Sequence, residues 1–301
     1  MMRKLVRKLM MLDPGYRKAF FLEQKLDRMC DELKTVIERS SDSAKVALFR
    51  NDIRCRWQVL DALDNVLYPP STPVKCLVCG HEAPKSTYET KISECIFGGG
   101  RLERFVCPDC GCIFGPLKMM ALSQEQLGEE YKQNYSVYSE SDCSLQERLA
   151  FEALKPQKDK RYLNYGAGAW NKTTKELRAE GYDVCDYEPY APTGADPWVI
   201  KSKNELFKLK FDGIFSNDLI EHLRNPVIDF QAMKDLLEEG GKMVHCSGCY
   251  EYAFEYTRFH LFFLTGESLN FMARKAGFNA VLQSRINVLS PARLCAFTPY
   301  K

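Results

Sequence analysis

Arg161 to Pro189 reads RYLNYGAGAWNKTTKELRAEGYDVCDYEP, and this stretch decides the fold. It opens on a short apolar run, turns at Tyr165-Gly166-Ala167-Gly168, continues as an amphipathic segment and ends in a second β-like run, Tyr182 to Tyr187, closed by Glu188. Strand, glycine turn, helix, strand and acid in that order outline one half of a nucleotide-binding βαβ arrangement. Glycines let the backbone approach a ligand closely, and an acid about 20 residues on can accept hydrogen bonds from both ribose hydroxyls. A two-glycine loop is also what an ordinary strand-to-helix turn displays. The order of elements around it therefore has to carry the argument.

Downstream, Ala195 to Ile200 predicts a strand, a helical stretch runs to Lys210, and Phe211 to Asp218 (FDGIFSND) predicts a strand ending in small polar residues. Leu219 to Leu223 and Asn225-Pro226 lead into a helix expected from Val227 to Glu239, with Gly240-Gly241 as its stop. Lys242 to Cys246 is the next strand. Two β-like runs between Val281 and Tyr300 are expected to finish the sheet as an antiparallel pair. Strands alternating with helices imply a mainly parallel sheet covered on both faces, with ligands at the carboxyl ends of its strands. Gly166, Glu188, Asn217 and His222 all fall on that edge.

The series YLNYGAG, VCDYEP, FDGIFSNDLIEHLRNP and LLEEGGKMV resembles the class I S-adenosylmethionine (SAM)-dependent methyltransferases over about residues 145–285. The resemblance implies an α/β, Rossmann-like fold and SAM as cofactor. It places Tyr165, Gly166, Ala167 and Gly168 against the methionine part of SAM, Glu188 at the ribose, and Asn217 and Asp218 beside the departing methyl group. Two positions depart from the family: Asn164 stands where an acid is usual and Trp170 where a third glycine is usual, which bears on cofactor affinity. Methyl transfer is an in-line displacement that gains from alignment, and an oxygen acceptor gains further from a base near pH 7, commonly His. Of the chain's four histidines, His222 at the sheet edge and His260 in the loop before a late helix, Glu267 to Ala276, are the candidates for general base. Histidines that fix loops by hydrogen bonding are the alternative.

Upstream, Cys76-Leu77-Val78-Cys79-Gly80 and Cys107-Pro108-Asp109-Cys110-Gly111 are matching turns flanking β-rich pieces, Lys91 to Phe97 and Arg101 to Val106. Each C-x-x-C-G turn can aim two thiolates at one tetrahedral ion. Together they predict a zinc ribbon holding a structural Zn²⁺ through Cys76, Cys79, Cys107 and Cys110, with no position left for substrate. His81, Cys95 and Cys112 are spare neighbours. Cys246-Ser247-Gly248-Cys249 is a further C-x-x-C, better suited by its place to lining a pocket. A ribbon ahead of such a domain resembles, more loosely, methyltransferases of sugar and surface-polysaccharide pathways, including sugar C-methyltransferases.

The N-terminal stretch is helical in pattern. Residues 1–12 are basic and amphipathic, a pattern that makes weak peripheral membrane contact or packs on a neighbour. Leu22, Leu26, Met29, Leu33 and Val36 form a short heptad seam, and a second periodic segment runs from Val46 to Leu67. Such helices suit a homodimer arm or packing against the body. The expected organisation is a helical arm (1–70), the ribbon (71–116), a tyrosine-rich connector or lid (117–144) and the methyltransferase domain (145–301).

A net charge of +2 over 301 residues gives no electrostatic footprint for nucleic acid. No apolar run reaches the roughly 18 residues of a membrane span. With thirteen scattered cysteines and no secretory pattern, a cytoplasmic location is expected. The expected function is methylation, at oxygen or carbon, of a sugar acceptor that is free, nucleotide-linked or part of a glycan. RNA as acceptor, and a degenerate scaffold that neither binds SAM nor needs Glu188, are the alternatives.

Overall fold

The computed structural model describes Lys25, Arg28 and residues 42–138, 142–168, 172–190, 196–287 and 290–300. The basic stretch 1–12, all five positions of the heptad seam and Trp170 lie outside the described residues. The longer helices are α1 (Asp42–Ala62), α2 (Gln124–Val137), α3 (Ser144–Ala153), α4 (Lys172–Ala179), α5 (Pro226–Lys234) and α6 (Ser268–Ala276). Strands β1 (Pro73–Lys75), β2 (Glu82–Pro84), β3 (Glu89–Glu94), β4 (Arg101–Val106) and β5 (Ile113–Phe114) precede β6 (Arg161–Tyr165), β7 (Asp183–Tyr187), β8 (Val199–Ile200), β9 (Phe211–Asn217) and β10 (Leu237–Ser247). A short β11 (Phe262–Phe263) and the long β12 (Phe278–Asn287) and β13 (Ser290–Pro299) complete the chain.

Seven strands form the main sheet in the order β12-β13-β10-β9-β6-β7-β8. β8, β7, β6, β9 and β10 are parallel, and β13 runs antiparallel between β10 and β12. Side chains alternate across a strand, so neighbours in sequence feed opposite cores. Tyr162, Phe215 and Val244 pack on one face with Phe151, Leu154 and Leu177. Leu163, Ile214 and Met243 pack on the other with Phe230, Met233 and Met272. This is the covered parallel sheet that the alternating pattern predicts, closed by the late antiparallel pair.

One expectation fails locally. The helix after Asn225-Pro226 stops at Lys234, and Leu237 is already in β10, opposite Phe211. Gly240 and Gly241 do not end a helix. They form an irregularity in β10, where the register shifts between Leu237 and Lys242. Gly240 has a φ of +78°, and a Cβ on Gly241 would sit 2.9 Å from the Glu238 carbonyl oxygen. Glycine is required by a bulged strand here, for the same steric reason that makes it a helix stop.

The cysteine-rich module is less separate than its sequence suggests. β1 and β2 pair around the first C-x-x-C turn, while β3, β4 and β5 are joined at the edge by β11 from the far end of the chain. A single core cluster includes Val74, Phe105 and Phe114 of the module and Phe262, Phe263 and Leu264 of the later segment. Thr265 donates a hydrogen bond of 2.5 Å to the Gly111 carbonyl, and Lys275 of α6 donates one of 2.9 Å to the Cys79 carbonyl.

Candidate active site and metal centre

At the carboxyl edge of the main sheet, the turn after β6 is pinned by the end of β7. Gly166 N–H donates to the Tyr187 carbonyl at 2.8 Å, and its φ of +74° suits a residue without Cβ. A Cβ there would lie 2.5 Å from Leu219 Cδ1. The Glu188 carboxylate accepts from Gly168 N–H through Oε2 and from Tyr190 N–H through Oε1, each at 3.0 Å. The acid predicted for a ribose is thus brought to the glycine turn. Tyr165 stacks obliquely with Tyr187 at 4.9 Å between ring centres, and Ala167 is buried in the turn. Asn164 is fully buried, and neither its amide oxygen nor its nitrogen has a hydrogen-bond partner.

The end of β9 supplies a second group. Asn217 donates to Asp218 Oδ2 at 2.9 Å, and Asp218 holds a φ of +45°, a conformation uncommon outside glycine. Its N–H donates to the Cys246 carbonyl of β10. A helical turn, Ile220–His222, then drops Glu221 into the interior at 0% exposure and leaves His222 half-buried beside it. His222 and His260 meet edge to face, with ring centres 4.9 Å apart. His260 Nε2 lies 3.9 Å from Glu221 Oε1. The two histidine candidates, 38 positions apart in sequence, therefore share one site.

The hydrogen bonds of these rings fix what they offer. A carbonyl only accepts, so the 2.9 Å contact between His260 Nδ1 and the Phe254 carbonyl puts the ring proton of neutral His260 on Nδ1. Its Nε2 is a bare lone pair. His222 Nδ1 is 2.7 Å from the Tyr131 hydroxyl, which leaves Nε2 as the uncommitted nitrogen. Burial pushes the His222 pKa down to about 4, and burial and then the neighbouring His222 push His260 well below the ordinary value. Both rings are neutral near pH 7. Burial, with Asp218 adding to it, raises Glu221 to about 8, and burial raises Asp218 to about 6.

Other partners were outside the reach of sequence reasoning. Tyr131 of α2 touches His222 from 91 positions away, and its place in a tyrosine-rich segment was the one signal. Glu221 adjoins His222 in sequence, but adjacency gives no sign of its burial. Arg104 of β4 gave no signal at all. Its buried guanidinium donates to the carbonyls of Glu255 (2.8 Å), Thr257 (2.8 Å) and His260 (3.1 Å), so the cysteine-rich module shapes the loop that carries His260. His245, by contrast, is sealed inside the sheet, and Cys246 and Cys249 are buried thiols beneath the site.

The four cysteines of the paired turns converge. The sulfurs of Cys76, Cys79, Cys107 and Cys110 all lie within 4.8 Å of one another. Cys76–Cys110 is 3.8 Å and Cys79–Cys107 is 3.4 Å. Sulfurs placed about 2.3 Å from one tetrahedral ion stand about 3.8 Å apart, so the set can close on such an ion with small side-chain adjustments. The two turns are built alike: Gly80 N–H donates to the Cys76 carbonyl and Gly111 N–H to the Cys107 carbonyl. His81 turns away, to Asp109 at 2.9 Å.

The strand order, the glycine turn and the acid at the end of β7 define a class I, Rossmann-like methyltransferase fold. Residues 138–283 match the profile of the family described as "Methyltransferase domain". Over this segment the chain carries a methyltransferase domain, and it is a methyl-transferring enzyme. Similar solved structures include a SAM-dependent methyltransferase of Thermotoga maritima described as a possible histamine N-methyltransferase. It is 20% identical, with 52% of this chain and 88% of that one covered and a TM-score of 0.39. Another is a 1,6-didemethyltoxoflavin N1-methyltransferase of Burkholderia thailandensis with S-adenosylhomocysteine bound (14% identity, 66% and 94% covered, TM-score 0.46). A third is an O-methyltransferase family protein of Burkholderia thailandensis (10%, 60% and 63%, TM-score 0.43). No curated protein matches the chain.

Proposed function

We propose that this enzyme moves a methyl group from SAM to a sugar, free, nucleotide-linked or within a glycan, at an oxygen or a carbon. The observation that carries the reading is the convergence of His222, His260, Glu221 and Tyr131 at the carboxyl end of β9, beside Asp218. A sugar acceptor draws support from the aromatic lining there: Tyr131 stacks on Phe259 at 4.4 Å, with Tyr190 and Tyr135 beyond it. Aromatic faces present an apolar surface with polar tips, which matches the two sides of a pyranose.

In this reading Tyr165, Gly166, Ala167 and Gly168 cradle the methionine end of SAM, Glu188 receives the ribose, and Asn217 and Asp218 flank the reacting methyl. SAM supplies an electrophilic methyl on sulfur. The acceptor forms the new bond to that carbon, the carbon–sulfur bond breaks with its pair left on sulfur, and the acceptor's proton passes to a basic group of the His222–His260 cluster. Alignment of acceptor and methyl is the larger part of the protein's task. Cys76, Cys79, Cys107 and Cys110 hold a structural Zn²⁺ in the ribbon, residues 71–116. In the connector, Tyr131 of α2 forms one wall of the acceptor site.

The test is calorimetric titration with S-adenosylhomocysteine. Wild type should bind, and Glu188→Ala should weaken binding tenfold or more, roughly the 1.5–3 kcal/mol of hydrogen bonds to a charged group. Radiolabelled methyl transfer to nucleotide-linked sugars then screens the acceptor. A wild type that binds no cofactor would favour the scaffold, and methylation of RNA alone would replace the sugar.

A further inference from the structure

Glu221 presents an unresolved problem of charge. It is 0% exposed, and neither carboxylate oxygen has a partner in good hydrogen-bonding geometry among the described residues, the side chains of Asp218 and Ser247 being the polar groups beside it. Asp218 lies close enough to be electrostatically linked to it, and its Oδ1 is likewise buried and unpartnered. Among the described residues no lysine or arginine pairs with either acid, and the nearest basic group is His260 Nε2 at 3.9 Å. Asn217 holds one oxygen of Asp218, but two adjacent buried carboxyls remain costly unless a cation or a proton joins them.

The surrounding rings are prepared for a cation. Histidines that bind metal commonly donate the remote ring N–H to a carbonyl or similar acceptor, which fixes the ring and exposes the other nitrogen. His260 does this through the Phe254 carbonyl, and His222 has the Tyr131 hydroxyl at the corresponding atom. One ligand atom from each of Glu221, His222 and His260 lies within 4.8 Å of the others. Ligands about 2.1 Å from one ion stand roughly 3–4 Å apart, so closure asks for shifts of about half an ångström. Two imidazoles and a carboxylate suit a divalent transition cation more than calcium or magnesium.

We propose that Glu221, His222 and His260 form a divalent-cation site within the acceptor cleft, distinct from the four-cysteine centre, with Asp218 beside it adding negative charge. The inference rests on the reading of this cleft as the acceptor site. A cation there would polarise an acceptor hydroxyl. It would give the two imidazoles a ligating role in place of a proton-accepting one.

Mn²⁺ tests the site, because thiolates select softer ions and the electron paramagnetic resonance of free Mn²⁺ reports binding directly. Full-length protein purified with its native metal content should take up one Mn²⁺ per chain. Glu221→Gln and His260→Gln, each nearly isosteric, should weaken uptake at least tenfold while thermal melting and S-adenosylhomocysteine affinity stay near wild type. Cys79→Ser should leave Mn²⁺ uptake in place. Absence of saturable Mn²⁺ binding by wild type, or binding that survives both glutamine variants, would overturn the site. Loss of S-adenosylhomocysteine binding by wild type with Mn²⁺ binding retained would instead defeat the methyl-transfer reading and leave the cation site standing.

Discussion

His245 illustrates how one residue sets a pH limit. It faces Phe230 and Phe297 in the core, its Nδ1 meets Ser216 Oγ at 2.7 Å, and its Nε2 has no partner. Burial pushes its pKa down to about 3. Because the folded pKa lies below the unfolded value near 6.5, the unfolded chain takes up the proton first as pH falls. The neutral ring therefore costs nothing above about pH 6.5, and stability is lost progressively from there towards pH 3. Urea unfolding of wild type at pH 7 and pH 5 should differ by up to about 2 kcal/mol on account of this residue. His245→Gln should lower stability at pH 7 yet flatten the pH dependence by that amount. An unchanged slope would show that other groups govern acid sensitivity.

Helix α2 is the element that ties the molecule's parts to the cleft. Its start is secured by Ser123 and Gln126, whose side chains each bond the other's backbone, an arrangement the sequence displays as Ser-x-x-Gln. Its middle turn is set by a buried carboxylate. Glu130 accepts from Arg56 (2.7 Å) and Trp57 Nε1 (3.3 Å) of α1 and from the buried Arg258 (3.2 Å) of the His260 loop. The next residue, Tyr131, thereby reaches His222. Glu130→Ala leaves Arg258 without its anion and should cost roughly 3–5 kcal/mol in denaturant unfolding. Glu130→Gln should retain part of this through the remaining acceptor. If the alanine variant loses less than about 1 kcal/mol, the Arg258–Glu130 pair is not the anchor.

At the scale of the whole molecule, the four-cysteine cluster and the His222–His260 cluster are mechanically joined. β11 adds to the module's sheet, and Arg104 holds three carbonyls of the loop that ends at His260. The glycine turn and Glu188 follow β6 and β7 and take no part in the Arg104 bonds. Treatment with a zinc chelator, or replacing Cys76 with Ser, should loosen residues 255–263 and reduce methyl transfer strongly. Cofactor affinity should change by less than about threefold if the module acts through the Arg104-held loop alone. Hydrogen exchange of that loop and titration with S-adenosylhomocysteine separate the two effects. Equal loss of both would mean that the module supports the entire domain.

The sequence by itself determined the features that are local or periodic. Alternating strands and helices, the Gly166 turn, the acid at Glu188 and the paired cysteine turns each depend on residues close along the chain, and all are legible there. The bulge at Gly240-Gly241 was misread because glycine's freedom serves a helix end and a kinked strand equally. Tertiary structure alone brought Tyr131, Glu221, His222 and His260 together and threaded Arg104 into their loop. Such contacts follow from how distant elements pack, and no local pattern encodes them.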